Sequence, residues 1–250
     1  MSSAGFTLRL GLPNIQFLVY LNLMMAVPKV PMTSSAVEDY VKTIYKIESA
    51  GGAAVTTNVL ATRLGVAASS ASGMVRKLAS AGLVEYERYH GVRLTEPGRR
   101  LALRVLRRHR LVELYLVEAL GMSWDQVHDP AELLEHALTA EVEELIAQKL
   151  GDPARDPHGD PIPTRDGRVV EKPTRSLAEL APGMWGRLVR VSDSDPAMLR
   201  YLTACGVSLG DELEVLERQP FGGGLLVRFT GNVQWIGPDL ANAMRVELST

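Results

Sequence analysis

A chain of 250 residues, 46% hydrophobic and 22% charged, is long enough for two or three small compact cores and has an ordinary soluble composition. Its one cysteine, Cys205, excludes a disulfide framework and a thiolate metal site within the chain and fits a reducing cytosol. The formal net charge of −2 conceals an uneven distribution: residues 63–110 carry 11 Lys or Arg against 3 acids, and residues 111–152 carry 1 Lys against 10 acids. A region suited to a polyanion is thus followed by one suited to collecting cations, with two solvated helical faces of opposite sign as the plain alternative.

Residues 1–31 include an apolar run at 15–27, interrupted by Gln16 and Asn22. It is too short to span a bilayer and lacks the basic start and small-residue cleavage site of a secretory signal. This stretch is expected to be an extension translated from an upstream start codon, or a disordered tail. Ser35-Ala-Val-Glu38 has the form of a capping box, and Val37, Val41, Ile44, Tyr45 and Ile47 recur behind it at helical spacing. A second short helix is expected over 56–64, with Val59, Leu60 and Leu64 on its apolar face and Gly65 closing it. A third runs from about 68 to 80 and ends at Gly82. Residues 83–94 alternate like a strand, turn at His90-Gly91 and return, which predicts a β-hairpin. That order is a winged helix-turn-helix over 32–100.

Thr95 to Gly98 cap a long basic helix reaching about Gly121, and Pro130 opens another expected to continue to about Leu150. Five prolines within 153–175 predict a linker or an ordered extended segment. Short alternating stretches at 185–191, 212–217, 224–229 and 232–236, with one helix near 196–205, point to a small β-barrel over 176–250. The fold class is therefore mainly α with small β parts.

In a helix-turn-helix the second helix lies in the major groove, so its leading face must be small and polar while basic side chains around it hold phosphates. Ala68-Ser69-Ser70-Ala71-Ser72-Gly73 supplies the small residues, and Arg76 and Lys77 follow one turn later. Tyr89, His90 and Arg93 lie on the wing, suited to a backbone or minor-groove contact. Singly such residues are surface filler; their placement on this unit is what points to double-stranded DNA. A leading turn without Asn, Gln or Arg has little capacity for bidentate base contacts, so specificity should rest on phosphate spacing, methyl contacts and DNA shape.

On the helices after the wing, His109 and Glu113 are four apart, and Glu132, Glu135 and His136 are spaced i, i+3, i+4. Each set lies on one helical face, and His128 in the intervening loop can close the first. One His-x-x-x-Glu pair is common on surfaces; two sets on consecutive helices are a cation-binding pattern.

These residues carry a family resemblance. Residues 35–167 resemble the diphtheria-toxin-repressor family of metalloregulators, which includes iron-dependent regulators and manganese transport regulators. The resemblance rests on Glu-Asp-Tyr-Val-Lys-Thr-Ile-Tyr at 38–45, Gly-Leu-Val at 82–84, Leu-Thr-Glu-Pro-Gly-Arg at 94–99 and Arg-His-Arg-Leu-Val-Glu at 108–113. It continues through Val-His-Asp at 127–129, Leu-Glu-His at 134–136 and Pro-His-Gly-Asp-Pro-Ile-Pro at 157–163. Residues 176–248 look like the family's SH3-like domain, also seen in ferrous-transport accessory proteins.

The resemblance implies a helical dimerisation and metal-binding domain over 101–152, a proline-rich linker over 153–175, and a cytoplasmic repressor that binds operator DNA as a homodimer. It implies no enzyme activity, no membrane and no small-molecule substrate. His109, Glu113 and His128 match the family's ancillary metal site; Asp39, Glu132, Glu135 and His136 match the primary site, whose filling activates DNA binding. Ser69, Ser70, Ser72, Arg76, Lys77 and Arg93 are the DNA-facing candidates. Iron-type members are expected to carry Met where Asp39 stands and Cys where Glu132 stands. The carboxylates here imply Mn²⁺, with Fe²⁺ as the alternative, because a hard, oxygen-rich site with one imidazole suits the cation at the weak end of the affinity series. Two features depart from the family pattern. Lys42 stands where some manganese regulators have a second acid, and the SH3-like domain's Glu and Gln ligands fall near Ser194 and Ala197, leaving Asp193 or Asp195 as substitutes. A metal-independent winged-helix sensor and a metallohydrolase are the rival readings; the second lacks a nucleophile motif.

Overall fold

The computed structural model describes residues 34–51, 55–87 and 91–249. The apolar run near the N-terminus and the expected wing residues Tyr89 and His90 lie outside the described residues. Helix α1 (Ser35–Ser49) buries Val37, Tyr40, Val41 and Ile44 on one face. Helix α2 (Thr57–Leu64) starts at the Thr56 hydroxyl, which accepts from the Val59 N–H, and stops at Gly65, whose φ of 64° only glycine adopts freely. Helix α3 (Ala68–Ser80) buries Ala71, Val75 and Leu78. Strands β1 (Val84–Glu87) and β2 (Gly91–Leu94) pair antiparallel, and Val55 bridges to Val92. These elements close one apolar core.

Two local expectations are corrected here. Ser35 is already inside α1, so no capping box forms, and the Glu38 carboxylate bonds His136 instead. Val59 is exposed, and Ala61 takes its place beside Leu60 on the buried face of α2.

Helix α4 (Glu96–Glu118) begins at the Thr95 cap and runs from the winged unit into the next one. Gly98 lies against the Leu83 carbonyl, where any Cβ would overlap it, so the helix packs tightly on the hairpin. The single helix expected from Pro130 to Leu150 is two: α5 (His128–Leu134) and α6 (Ala140–Lys149). The break has two causes. Glu135 is drawn wholly inside to Lys42 and His109, and the Thr139 hydroxyl accepts from the Val142 N–H, starting a new helix. Leu111, Ala147 and Ile162 join α4, α6 and the proline-rich segment in a small core.

The first half of that segment is packed. Asp156 accepts the N–H groups of His158 and Asp160, and the His158 carbonyl accepts the Val191 N–H. Gly159, at φ 86°, presses on the Val189 carbonyl, where a side chain has no room.

The C-terminal part is a six-stranded sheet, antiparallel throughout, in the order β3-β8-β4-β5-β6-β7. Its strands are β3 (Arg175–Ser176), β4 (Trp185–Val191), β5 (Glu212–Arg218), β6 (Leu225–Phe229), β7 (Asn232–Ile236) and β8 (Met244–Leu248), with helices α7 (Pro196–Ala204) and α8 (Pro238–Ala243). Leu188, Leu202, Val215, Val227, Ile236 and Val246 fill its interior. The sequence reading lacks β3, α8 and β8: one is two residues long, and the other two abut without a turn signal. No described helix is long and apolar enough to cross a membrane.

Candidate metal centre and DNA-facing helix

Three pieces of chain converge on α4: the middle of α1, the end of α5 with the turn behind it, and the packed proline-rich segment clipped to β4. Asp39 and Glu38 come from α1, His109 and Glu113 from α4, and His128, Glu132, Glu135 and His136 from α5 and its turn. His136 Nε2 lies 2.9 Å from Asp39 Oδ1 and 3.5 Å from Glu135 Oε1. His136 Nδ1 lies 2.7 Å from Glu38 Oε2. Asp39, Glu135 and His136 thus present three donor atoms close enough to share one ion.

The two sets read from the sequence lie side by side, with His109 between them. His109 joins them: its Nδ1 is 2.6 Å from Glu135 Oε2 and its Nε2 is 3.0 Å from Glu113 Oε1. His109, Glu113 and Glu135 are all buried. Beyond Glu113 the chain of donors continues through His128 Nδ1 at 3.3 Å to Asp193 Oδ2, 3.4 Å from the same nitrogen. Of the two acids considered in the SH3-like part, Asp193 reaches the cluster, while Asp195 caps α7 by accepting from the Ala197 N–H.

Asp156 and His158 join the cluster and were not singled out as ligand candidates by spacing. His158 donates from Nε2 to the Trp124 carbonyl at 2.7 Å, and its buried Nδ1, 3.9 Å from Glu113 Oε2, has no hydrogen-bond partner. The signal was present in Asp-Pro-His at 156–158, but it lies in a stretch without periodicity. Glu38 was hidden differently, because its position three residues after Ser35 suited a helix cap. A cleft of about 690 Å³ opens beside the cluster, with Lys46, His109, Glu113, Asp156, Arg190 and Asp193 among its walls.

The electrostatics follow from burying so many acids together. Burial raises the Asp39 carboxyl, against the pull of His136 and Lys42. Burial also raises Asp156 well above the usual range, and the neighbouring Asp160 and Glu113 push the same way. Burial opposes the charged form of Glu113, but bonds to His109 and His128 outweigh it and hold that carboxyl low. Asp193 is likewise held low, His128 overcoming its burial. In return the His128 imidazole is pushed up to about 10, first by Asp193 and then by Glu113. His109 and His136 are disfavoured as cations by burial yet end above the ordinary value, through Glu113 and Glu135 for one and Glu38 for the other.

Lys42, three residues after Asp39 on α1, is buried, with its Nζ 2.8 Å from Glu132 Oε1 and 2.5 Å from Glu135 Oε1. Burial lowers its ammonium, but the contacts with Glu135 and Glu132 win and keep it charged. Surplus carboxylate, hard oxygen donors, imidazole and an orphaned buried nitrogen together fit a divalent first-row cation.

Helix α3 exposes Ser69, Ser70, Arg76 and Lys77, with Ser72 half-buried beside them. Ser69, Ser72 and Arg76 fall on one helical face. Arg93 is exposed on β2, opposite Glu85 in the hairpin register.

A winged helix-turn-helix continued by a helical unit and a small all-β domain defines a DNA-binding transcriptional regulator, and known proteins agree. Family models match all three parts: the iron dependent repressor N-terminal DNA binding domain over residues 32–92, the iron dependent repressor metal binding and dimerisation domain over 95–164, and the FeoA domain over 175–248. The chain is 30% identical over 221 residues to the diphtheria toxin repressor of Corynebacterium glutamicum, covering 84% of this chain and 95% of that relative. Among solved structures it is similar to a manganese-dependent transcriptional repressor in complex with manganese, with TM-score 0.81 and 44% identity over 85% of this chain and all of that one. It is also similar to the manganese regulator SloR, with TM-score 0.71 and 29% identity over 85% and 98% of the two chains. The chain belongs to the diphtheria-toxin-repressor family of iron- and manganese-dependent transcriptional repressors. Members of this family are DNA-binding regulators, not enzymes.

Proposed function

We propose that this protein is a cytoplasmic, manganese-responsive repressor that binds operator DNA as a homodimer and controls genes of metal homeostasis. The observation that carries the reading is the approach of His136 to Asp39, because it ties the helical unit to the first helix of the DNA-binding unit. Asp39, Glu132, Glu135 and His136 would hold the activating cation, and His109, Glu113 and His128, joined by Asp156, His158 and Asp193, the supporting one. A bound divalent cation would take the place of the protons that these imidazoles shed, and so keep the carboxylates neutralised. Asp39 then fixes α1 against α4 and the turn after α5, and the position of α1 sets the spacing of α3 across the dimer. Ser69, Ser70 and Ser72 would approach base edges, while Arg76, Lys77 and Arg93 hold phosphates.

We assign the winged unit to residues 32–100, the helical unit to 101–152, the connecting segment to 153–175 and the SH3-like domain to 176–250. Leu133, Val142 and Leu145 are exposed on α5 and α6, and we assign them to the dimer seam. Leu106 and Leu111, which are fully buried, serve the intrachain core instead.

All donors of the cluster are carboxylate oxygen or imidazole nitrogen, which favours Mn²⁺ through geometry and availability. Fe²⁺ is the second reading, favoured by the match to iron-dependent repressor models. An anaerobic mobility-shift titration on an inverted-repeat promoter fragment with Mn²⁺, Fe²⁺, Zn²⁺ and chelator separates them. Retardation at micromolar Mn²⁺ is expected. Activation by Fe²⁺ alone would overturn the manganese reading, and retardation in chelator would overturn the metal dependence.

A further inference from the structure

Glu135 offers two oxygens, and their surroundings differ. Its Oε2 is 2.6 Å from His109 Nδ1. Its Oε1 is the atom that faces His136, 3.5 Å from Nε2, and the same atom lies 2.5 Å from Lys42 Nζ. The ammonium also holds Glu132 Oε1 at 2.8 Å. Lys42 therefore occupies, with one positive charge, the position from which a cation would draw on both carboxylates. Its side chain is 4% exposed, and it sits on the same face of α1 as Asp39.

We propose that the Lys42 ammonium is a built-in competitor for the activating cation: it holds Glu132 and Glu135 in the metal-free chain and must give up Glu135 Oε1 when the site at Asp39 and His136 fills. This rests on the reading of Asp39, Glu132, Glu135 and His136 as the activating site. Lys42 then has two opposed effects. It stabilises the metal-free fold by neutralising the buried Glu135 and the half-buried Glu132, and it raises the free metal concentration needed for response, because each cation bound displaces an ion pair already made. Lys42 is thus a threshold-setting residue rather than a ligand. A purely structural salt bridge makes the opposite forecast, since losing it would disorder the carboxylates and weaken metal binding.

The test is calorimetric Mn²⁺ titration of the full chain at one pH, for wild type, Lys42→Met, Lys42→Gln and Lys42→Arg, with His136→Ala marking which site is observed. Melting curves in chelator and in Mn²⁺ accompany it. Lys42→Met and Lys42→Gln are expected to bind Mn²⁺ at the His136-dependent site at least about tenfold more tightly, since one charge contact at a partly buried site is worth that much or more. Both are expected to melt lower in chelator and to gain more from Mn²⁺, whereas Lys42→Arg, which keeps the charge, shows no tightening. If Lys42→Met fails to fold without metal, Lys42→Gln, of similar reach and hydrogen-bonding capacity, decides the matter. Unchanged or weaker Mn²⁺ binding in Lys42→Gln, with wild-type binding intact, overturns the competition alone. A wild type with no Mn²⁺ binding that depends on His136 overturns the metal reading and the competition with it.

Discussion

Glu38 shows how one residue changes meaning between sequence and structure. It is buried, and it contacts the nitrogen of His136 that does not face Asp39. A ligating imidazole needs its other N–H held, which fixes both tautomer and ring direction. Glu38→Ala is expected to weaken Mn²⁺ binding by about 10–100-fold. Glu38→Gln, whose amide oxygen still accepts from Nδ1–H, should lose much less. Equal losses in the two variants, measured by calorimetric titration, would show that Glu38 acts through its charge and not by orienting the ring.

At the scale of elements, α3 and α6 each carry a test. The exposed Arg76 and Lys77 follow the small leading turn of α3. If both hold phosphates, replacing either by Ala should lower the log-log salt slope of operator binding by about 0.9 and leave metal affinity unchanged. An unaltered slope in both would place the phosphate contacts elsewhere. Helix α6 is pinned to α4 by Glu143, whose carboxylate meets Arg107 at 3.0 Å and Arg108 at 3.2 Å. All three side chains are 15% exposed or less. Glu143→Ala takes the nearer carboxylate from two guanidiniums, leaving Arg107 the Pro163 carbonyl and Arg108 the more distant Glu38, and should cost on the order of 3 kcal/mol, read as a lower Tm and a weaker dimer in sedimentation. A variant with wild-type melting would mean that the arginines find water or another acid at no cost.

For the whole molecule the cluster predicts how stability follows pH. His109, His128 and His136 all sit above the ordinary histidine value of 6.5 in the fold, His128 at about 10. The stability they contribute is complete below pH 6.5 and is lost as pH rises through their folded values. Asp39 and Asp156, raised by burial, push in the same direction over their own range. Glu113, Glu132 and Asp193, held low by their partners, contribute stability that is present above the ordinary carboxylate range and lost in acid. In chelator the Tm should therefore fall steadily from pH 6.5 upward. With saturating Mn²⁺ the gain in Tm should grow from pH 6.5 to 8.5, because ligands must shed their protons to bind. Differential scanning fluorimetry across that range is the check, and a flat Tm in chelator would contradict the charged state assigned to the histidines.

Elements whose signal is local were legible from the residues alone. Thr56 and Gly65 bound α2, Thr95 starts α4, and the alternation before and after Gly91 makes the wing, each through a cap, a turn or a period of two. Spacing along a helix also brought forward His109, Glu113, Glu132, Glu135 and His136, since residues four apart share a face in any helix. Three things had no local signal. The break of the expected 130–150 helix depends on Glu135 being pulled 93 residues away in sequence to Lys42. The placing of His158 and Asp193 depends on a hydrogen bond from Val191 to the His158 carbonyl, which clips one domain's strand to another's connecting segment. The place of His109 between the two ligand sets depends on which carboxylate each ring nitrogen meets. The sequence by itself determined the helices, the wing and the types of ligand, because those obey short-range sterics and periodicity. Only the tertiary structure decided which donors stand together and which are held by Lys42, because donors from five separate stretches become neighbours only after their apolar faces have packed.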